Sequence, residues 1–387
     1  MSAAPPAGAP GVLTIDLAAL ADNWRLLARR AAPAQCAAVI KADGYGLGIE
    51  IVAQTLYAAG CRVFFVAHLS EGRRARAVLP QADARLYVLN GLQSGADPQA
   101  DYCAFRLAPA IGSAEEFARW AAFAATRAAP PPCALHLDTG MNRLGFDSLD
   151  DLRAATARAG GTCGADLLMS HFVSSEASGD PLNAVQIARF EEARAAFRPL
   201  AASLANSSGL FLPAWPIFDL ARPGYALYGG NPTPGAPNPM RRVVTLDVAI
   251  QQTRWIEAGE TCGYNGQWTA RRRTRLATLL AGYADGLPRG AGAVDGREGA
   301  EVVVAGRRCA LVGRISMDLC IADVTDVPED AARPGEFARF LGEEIGVDEF
   351  ASRSGTIGYT VLTSLGARYL RRVVNGQGST DDSRTPS

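Results

Sequence analysis

The sequence of 387 residues is almost without lysine: of its 38 basic residues, 37 are arginine and one, Lys41, is lysine. No sign of charge dominates, with 38 basic residues against 39 acidic ones and a formal net charge of −1. Such a balance provides no general field for nucleic acid or an anionic membrane. No apolar run reaches the roughly 18 residues that a membrane-spanning helix needs. Met1–Pro10 has neither a basic start nor an apolar stretch, so no secretory signal is expected and the cytoplasm is the expected compartment. The eight cysteines are scattered, with no Cys-x-x-Cys pair, which excludes a metal or redox motif recognisable by spacing. They read as small buried hydrophobes. Three histidines, His68, His136 and His171, are too few and too dispersed to suggest a metal cluster.

An arginine-rich, alanine-rich composition explains why lysines are missing from the surface, but not why one remains. Arginine keeps its proton and is a poor nucleophile, whereas a desolvated lysine can lose its proton and attack a carbonyl. Lys41 is therefore a candidate for amine chemistry. It closes the apolar run Ala37–Ile40 and opens a glycine-rich loop, Ala42-Asp43-Gly44-Tyr45-Gly46-Leu47-Gly48.

Short apolar runs recur through the first two thirds of the chain. Candidate strands are Cys36–Lys41, Val63–Val66, Arg85–Leu89, Cys103–Leu107, Cys133–Asp138, Asp166–Ser170, Ala202–Asn206 and Tyr225–Tyr228. Ala/Arg/Glu-rich segments of helical character, such as Ala114–Arg127 and Ala184–Phe197, lie between them. Eight strands alternating with helices predict an α/β fold, a (β/α)8 TIM barrel. After the Gly- and Pro-rich segment Gly229–Pro239 the pattern turns to β-like runs, Val243–Ile250, Leu276–Leu280, Glu301–Val304, Ala310–Arg314 and Cys320–Val324, with little helix. The expected organisation is a flexible start (1–11), the barrel (12–238), a mostly β C-terminal domain (239–374) and a disordered tail (375–387).

In a barrel of this kind, strand C-termini form the active face. Lys41 would emerge there. So would Arg143 in Asp138–Gly145, His171 after the sixth strand, Asn206 and Ser207 after the seventh, and Arg222, Gly224 and Tyr225 near the eighth. Loops after strands seven and eight commonly hold phosphate. A carbonyl-reactive lysine facing a phosphate cradle implies pyridoxal phosphate (PLP).

The segments KADGYGLG, HLDTGMNRLGF, SHF, ANSSG, ARPGYALYGG, TCGYNG, AGYADG, VGRISMDLC and GTIGYTVLTSLGARY resemble, in order, those of the alanine racemase family. The resemblance runs from Thr14 to about Arg372. It implies a PLP barrel joined to a β domain, acting as a homodimer with active sites at the interface, in a cytoplasmic enzyme supplying D-alanine for peptidoglycan. It further implies that Lys41 holds PLP and takes the α-proton of the D-substrate, and that Tyr264 of a partner chain is the base on the opposite face. Two bases on opposite faces are what racemisation requires. His171 would assist Tyr264, with Arg222 beside it and facing the ring nitrogen. Tyr45, Asn206, Ser207, Tyr359 and the backbone at Gly224 and Tyr225 would hold the cofactor. Arg143 would face the cofactor's phenolic oxygen and, with the Met317 backbone, the substrate carboxylate. Tyr283, Arg289, Arg314, Ile357 and Glu176 would line the entry corridor.

Two departures stand out. Many members carry a carbamylated lysine two residues before the aspartate of the DTGM segment, where this chain has His136, and no other lysine could replace it. The lysine loop has Asp43 and Leu47 where others often have Asn and His. A serine or broad-specificity racemase on the same scaffold is the alternative reading. A PLP-dependent decarboxylase is disfavoured because Tyr264 and the Met317-Asp318 segment follow the racemase pattern, and a non-catalytic PLP carrier because it would need Lys41 but neither Tyr264 nor His171.

Overall fold

A computed structural model of the protein describes residues 9–92, 98–213 and 216–376. The flexible start and the disordered tail expected from the sequence lie almost wholly outside these residues. The chain divides into two compact units, one of Leu20–Leu227 with Asn231–Met240, the other of the described residues before Leu20, Tyr228–Gly230 and the described residues from Arg241 onward. Chain order begins with β1 (Gly11–Asp16) and α1 (Leu17–Ala31).

The first unit is a closed parallel barrel. Its first strand comes in two pieces, β2 (Gln35–Cys36) and β3 (Ala38–Val39). It is followed by β4 (Val63–Val66), β5 (Arg85–Val88), β6 (Leu107–Ile111), β7 (Cys133–His136), β8 (Ala165–Met169) and β9 (Ala201–Ser203), and β3 to β9 form one parallel sheet in sequence order. The eighth strand, β10 (Leu220–Ala221), pairs with β2. Amides of Gln35, Ala37 and Val39 donate to carbonyls of Asp219, Ala221 and Pro223, while Asp219 and Arg222 donate back to Ala202 and Ala205, so the ring closes.

Burial explains why short apolar runs suffice as strands. All four residues of β4 and all five of β6 are buried, as expected where side chains fill the barrel or meet the helix layer. That layer comprises α2 (Ile49–Ala59), α3 (Leu69–Val78), α4 (Pro98–Ala104), α5 (Ala114–Ala124), α6 (Leu149–Arg158) and α7 (Pro181–Ala196). In α5, Phe117, Trp120 and Ala124 form the inward stripe, and the Ser113 hydroxyl caps the helix by accepting from the Glu116 amide at 3.1 Å.

Two strands differ from expectation. Cys103–Leu107 is not the fourth strand: its first two residues end α4, the chain turns through Phe105 and the left-handed Arg106, and β6 begins only at Leu107. Tyr225–Tyr228 is a buried 3-10 turn, and the eighth strand lies five residues earlier. Both segments are apolar because they pack, and apolarity alone does not separate a strand from a buried turn.

In the second unit an eight-stranded sheet is built around β11 (Val244–Ile256). A small hairpin of β12 (Thr261–Cys262) and β13 (Trp268–Thr269) follows it. Then come β14 (Thr274–Leu279), β15 (Glu301–Val304), β16 (Arg307–Ala310), β17 (Cys320–Asp323) and β18 (Phe337–Leu341). Two short helices, α8 (Val347–Arg353) and α9 (Gly358–Thr363), precede β19 (Leu370–Val374). Residues 12–16, counted with the barrel on sequence grounds, pair here instead: β1 lies antiparallel to β11 and parallel to β19.

Candidate active site

Lys41 stands two residues after β3, past Ile40, and the turn after it is unusual. Ala42 (φ 53°), Asp43 (55°), Gly44 (63°) and Tyr45 (54°) are all left-handed, with Gly46 (83°) closing the turn. Three of these are not glycine, and each costs roughly 1–2 kcal/mol in that region. Surrounding bonds hold the turn: Gly44 donates to the Ile40 carbonyl at 3.0 Å, Gly46 to Ala42 at 2.8 Å, and Ala42 to the Glu71 carboxylate at 2.6 Å. Burial, followed by the positive charge of Arg143, pushes the Lys41 amine below its ordinary pKa, while Glu71 pulls the other way.

Around it the ends of other strands supply the groups expected. His171 follows β8, and burial with the charges of Arg222, Arg143 and Lys41 and the presence of His136 holds it well below the usual histidine range. It is therefore a neutral imidazole. Arg222 is buried at the end of β10, donating from Nη2 to the Ser170 carbonyl at 2.5 Å and from Nη1 to the Ser203 hydroxyl. Burial lowers its pKa to about 9, and the guanidinium keeps its charge at neutral pH. Beneath it, Thr139 and Ser170 share a hydroxyl bond of 2.8 Å, and Gln186 of α7 donates to both Thr139 (3.0 Å) and the His171 carbonyl (2.9 Å).

The loops after β9 and β10 are knit together by hydrogen bonds. The Ser207 hydroxyl accepts from the amides of Gly224 (3.0 Å) and Ala226 (3.2 Å), which occupies both lone pairs and leaves its proton to donate elsewhere. Asn206 is engaged with Ser175 and the Gly209 amide, both at 2.8 Å, so its carbonyl oxygen shapes the loop. A β-carbon on Gly224 would stand 2.3 Å from the buried Tyr45 hydroxyl, so the backbone passes that hydroxyl at a distance only glycine permits. Tyr225 opens the 3-10 turn that follows. These residues could hold a phosphate through a hydroxyl and backbone amides.

His136 ends β7 with its Nδ1 buried and without a hydrogen-bond partner. Burial and the charge of Arg222 lower its pKa to about 4. Asp138 binds the amides of Gly140 (2.6 Å) and Met141 (2.8 Å), shaping the loop that presents the exposed Arg143. Asp43, unusual at its position, pairs with Arg74 at 2.8 Å.

The remaining predicted residues, apart from Glu176 of the first unit, belong to the second unit. Tyr264 stands on a 3-10 turn entered through Gly263 and is 66% exposed. Tyr283 and Met317 lie on two loops tied together by amide bonds of 3.0 Å, from Tyr283 to Ser316 and from Ala284 to Met317. Behind them Arg368 grips the buried Asp285 at 2.6 and 2.7 Å and reaches Asp318 at 2.7 Å. Tyr359 sits in α9, next to the exposed Ile357. Arg314 donates to Gln267 at 2.8 Å. Sequence reasoning missed Glu71, Ser203, Gln186 and Arg368. Only Glu71 carried a local signal, as a glutamate in the third position of α3, a helix not among those expected from the sequence.

Two family models match the chain: the alanine racemase N-terminal domain over residues 15–232 and the alanine racemase C-terminal domain over residues 243–373. The chain belongs to the alanine racemase family. An alanine racemase of Methylobacterium sp. (strain 4-46) is 55% identical over 375 residues, covering 97% of this chain and 100% of the relative. Among solved structures, alanine racemase from Bartonella henselae with covalently bound pyridoxal phosphate shares 34% identity at a TM-score of 0.87, covering 95% of this chain and 100% of that one. The biosynthetic alanine racemase from Pseudomonas aeruginosa shares 35% at the same score and coverage. Membership fits a barrel with a mostly β second unit, the architecture read from the sequence. Among the described residues, no group of His, Cys, Asp and Glu could hold a metal ion, and no helix is long and apolar enough to cross a membrane.

Proposed function

We propose that the protein is a PLP-dependent racemase interconverting L- and D-alanine, with Lys41 and Tyr264 as bases for opposite faces of the substrate Cα. The observation that carries this reading is Lys41: the chain's single lysine, at the barrel mouth, with its amine lowered by burial and Arg143. The residues present fit the cofactor. Ser207 has a proton to donate, Gly224 leaves no room for a side chain, and Arg222 offers buried donors.

When bound, PLP withdraws electrons from the substrate's Cα and makes its proton acidic. Lys41 anchors the cofactor and moves that proton on the D face, a task helped by its lowered pKa. Arg222 donates but keeps its own proton, which moderates electron withdrawal and favours return of the proton to Cα. Tyr264 serves the L face, and neutral His171 can accept its proton. Arg143 and the Met317 amide bind the substrate carboxylate, Tyr359 joins the phosphate cradle, and Tyr283 narrows the entrance.

Tyr264, Met317 and Ile357 expose 66, 54 and 61% of their surface, large apolar groups whose exposure suits a face covered by another chain. A homodimer in which each site draws Lys41 from one chain and Tyr264 from the other accounts for them. In a bacterial cytoplasm the product D-alanine would serve peptidoglycan.

Tyr264→Ala is expected to lower racemisation by roughly 10²–10⁴-fold with PLP still bound. Mixing it with Lys41→Ala chains should restore about a quarter of the parent activity, since half the dimers are mixed and each has one intact site. Near-normal turnover of Tyr264→Ala, or no recovery despite verified mixed dimers, would contradict the shared two-base site.

A further inference from the structure

One face of α3 reaches the lysine turn twice. Glu71, in the first turn of that helix, accepts from the Ala42 amide at 2.6 Å through one oxygen and from the Ala67 and His68 amides at 2.8 and 3.2 Å through the other. Three residues on, and therefore on the same side of the helix, Arg74 pairs with Asp43 at 2.8 Å and with Glu50 at 2.7 Å. Asp43 in turn accepts the Ile49 amide, which opens α2, at 3.1 Å. The two residues that follow Lys41 are thus each held from α3, one by its backbone and one by its side chain. An ordinary helix cap needs only the Ala67 and His68 contacts. The Ala42 contact ties the helix to a turn whose non-glycine residues disfavour their own conformation.

We propose that Glu71 is a positioning residue for Lys41: it pins the Ala42 amide, holds the left-handed turn and so aims the lysine amine, with Arg74 on Asp43 as a second pin. The proposal deepens the two-base reading and rests on it for its kinetic consequence. Glu71 also has an electrostatic effect. Lys41 is faced by Glu71 from α3, by Arg143 from the loop after β7 and by His171 after β8, and of these Glu71 alone raises its pKa.

An amide at position 71 offers one oxygen where three N–H groups converge, so Glu71→Gln must release one arm. Two measurements on the cofactor-loaded protein test the proposal. Hydrogen exchange of the 41–48 segment should accelerate roughly tenfold in Glu71→Gln. It should rise a few-fold in Arg74→Gln, a milder change that keeps the helix start intact. With Lys41 made the slower base, the deuterium isotope effect on kcat/KM should rise for α-deuterated D-alanine and fall for α-deuterated L-alanine. Unchanged exchange over 41–48 in both variants would overturn the proposal, as would faster exchange with isotope effects unaltered in both directions, the mark of a merely structural role. The exchange measurement needs no substrate and no base assignment. Failure of the base assignment shows separately, as α-proton exchange of D-alanine by PLP-loaded Lys41→Ala at a rate independent of the concentration and basicity of added amines.

Discussion

Neutral imidazoles share the barrel mouth with guanidinium groups, and that pairing has a measurable consequence at the scale of single residues. His136 has a pKa of about 4 in the folded protein, against an ordinary value near ~6.5 for the unfolded chain. Its folded pKa is depressed, so its contribution is complete above pH ~6.5 and is lost as pH falls from there to about 4, because only the unfolded state takes up the proton. The loss is on the order of 3 kcal/mol. His136→Gln should therefore show a smaller drop in urea midpoint between pH 7.5 and 5 than the parent, with His171 still providing a drop of the same sign. Identical pH dependence in the two proteins would contradict the assignment. At this scale the sequence was informative where chemistry demands a rare residue type. Lys41 stood out against 37 arginines, His171 followed the sixth candidate strand, and Arg222 stood beside an eighth strand set too late in the chain. Glu71 was hidden because a glutamate three residues into a helix looks like a cap, and its bond to Ala42 joins positions 29 residues apart.

Among the elements, the turn after β3 and the loop after β10 meet at the Tyr45 hydroxyl and Gly224, where the proposed phosphate cradle lies. Gly224→Ala puts a methyl group 2.3 Å from that hydroxyl and 3.1 Å from the ring carbon bearing it. With Tyr45 buried, the clash must move the backbone that Ser207 binds, and PLP retention on dialysis should fall more than tenfold. Adding Tyr45→Phe, which removes the clashing oxygen, should recover part of it. No recovery would locate the damage elsewhere. The strands were harder to read than the loops. β6 was missed because its apolar run continues from α4, and the eighth strand because β10 is only two residues long beside the more apolar Tyr225–Tyr228. β1 could not be assigned locally at all: its place is set by β11 and β19, whose partnering residues lie more than 200 positions away.

For the whole molecule, the barrel unit carries Lys41, Ser207, Gly224 and the buried Arg222, and the β-rich unit carries Tyr264, Tyr283 and Met317. Near-zero net charge and 38 basic residues of which one is lysine make the covalent claim unusually clean, because the chain has a single ε-amine. The most direct test is borohydride reduction of the PLP-loaded protein followed by peptide mapping. The account predicts one pyridoxyl group per chain, on Lys41, and none on Lys41→Arg. A chain whose mass is unchanged by reduction, or a label on any other residue, would contradict it.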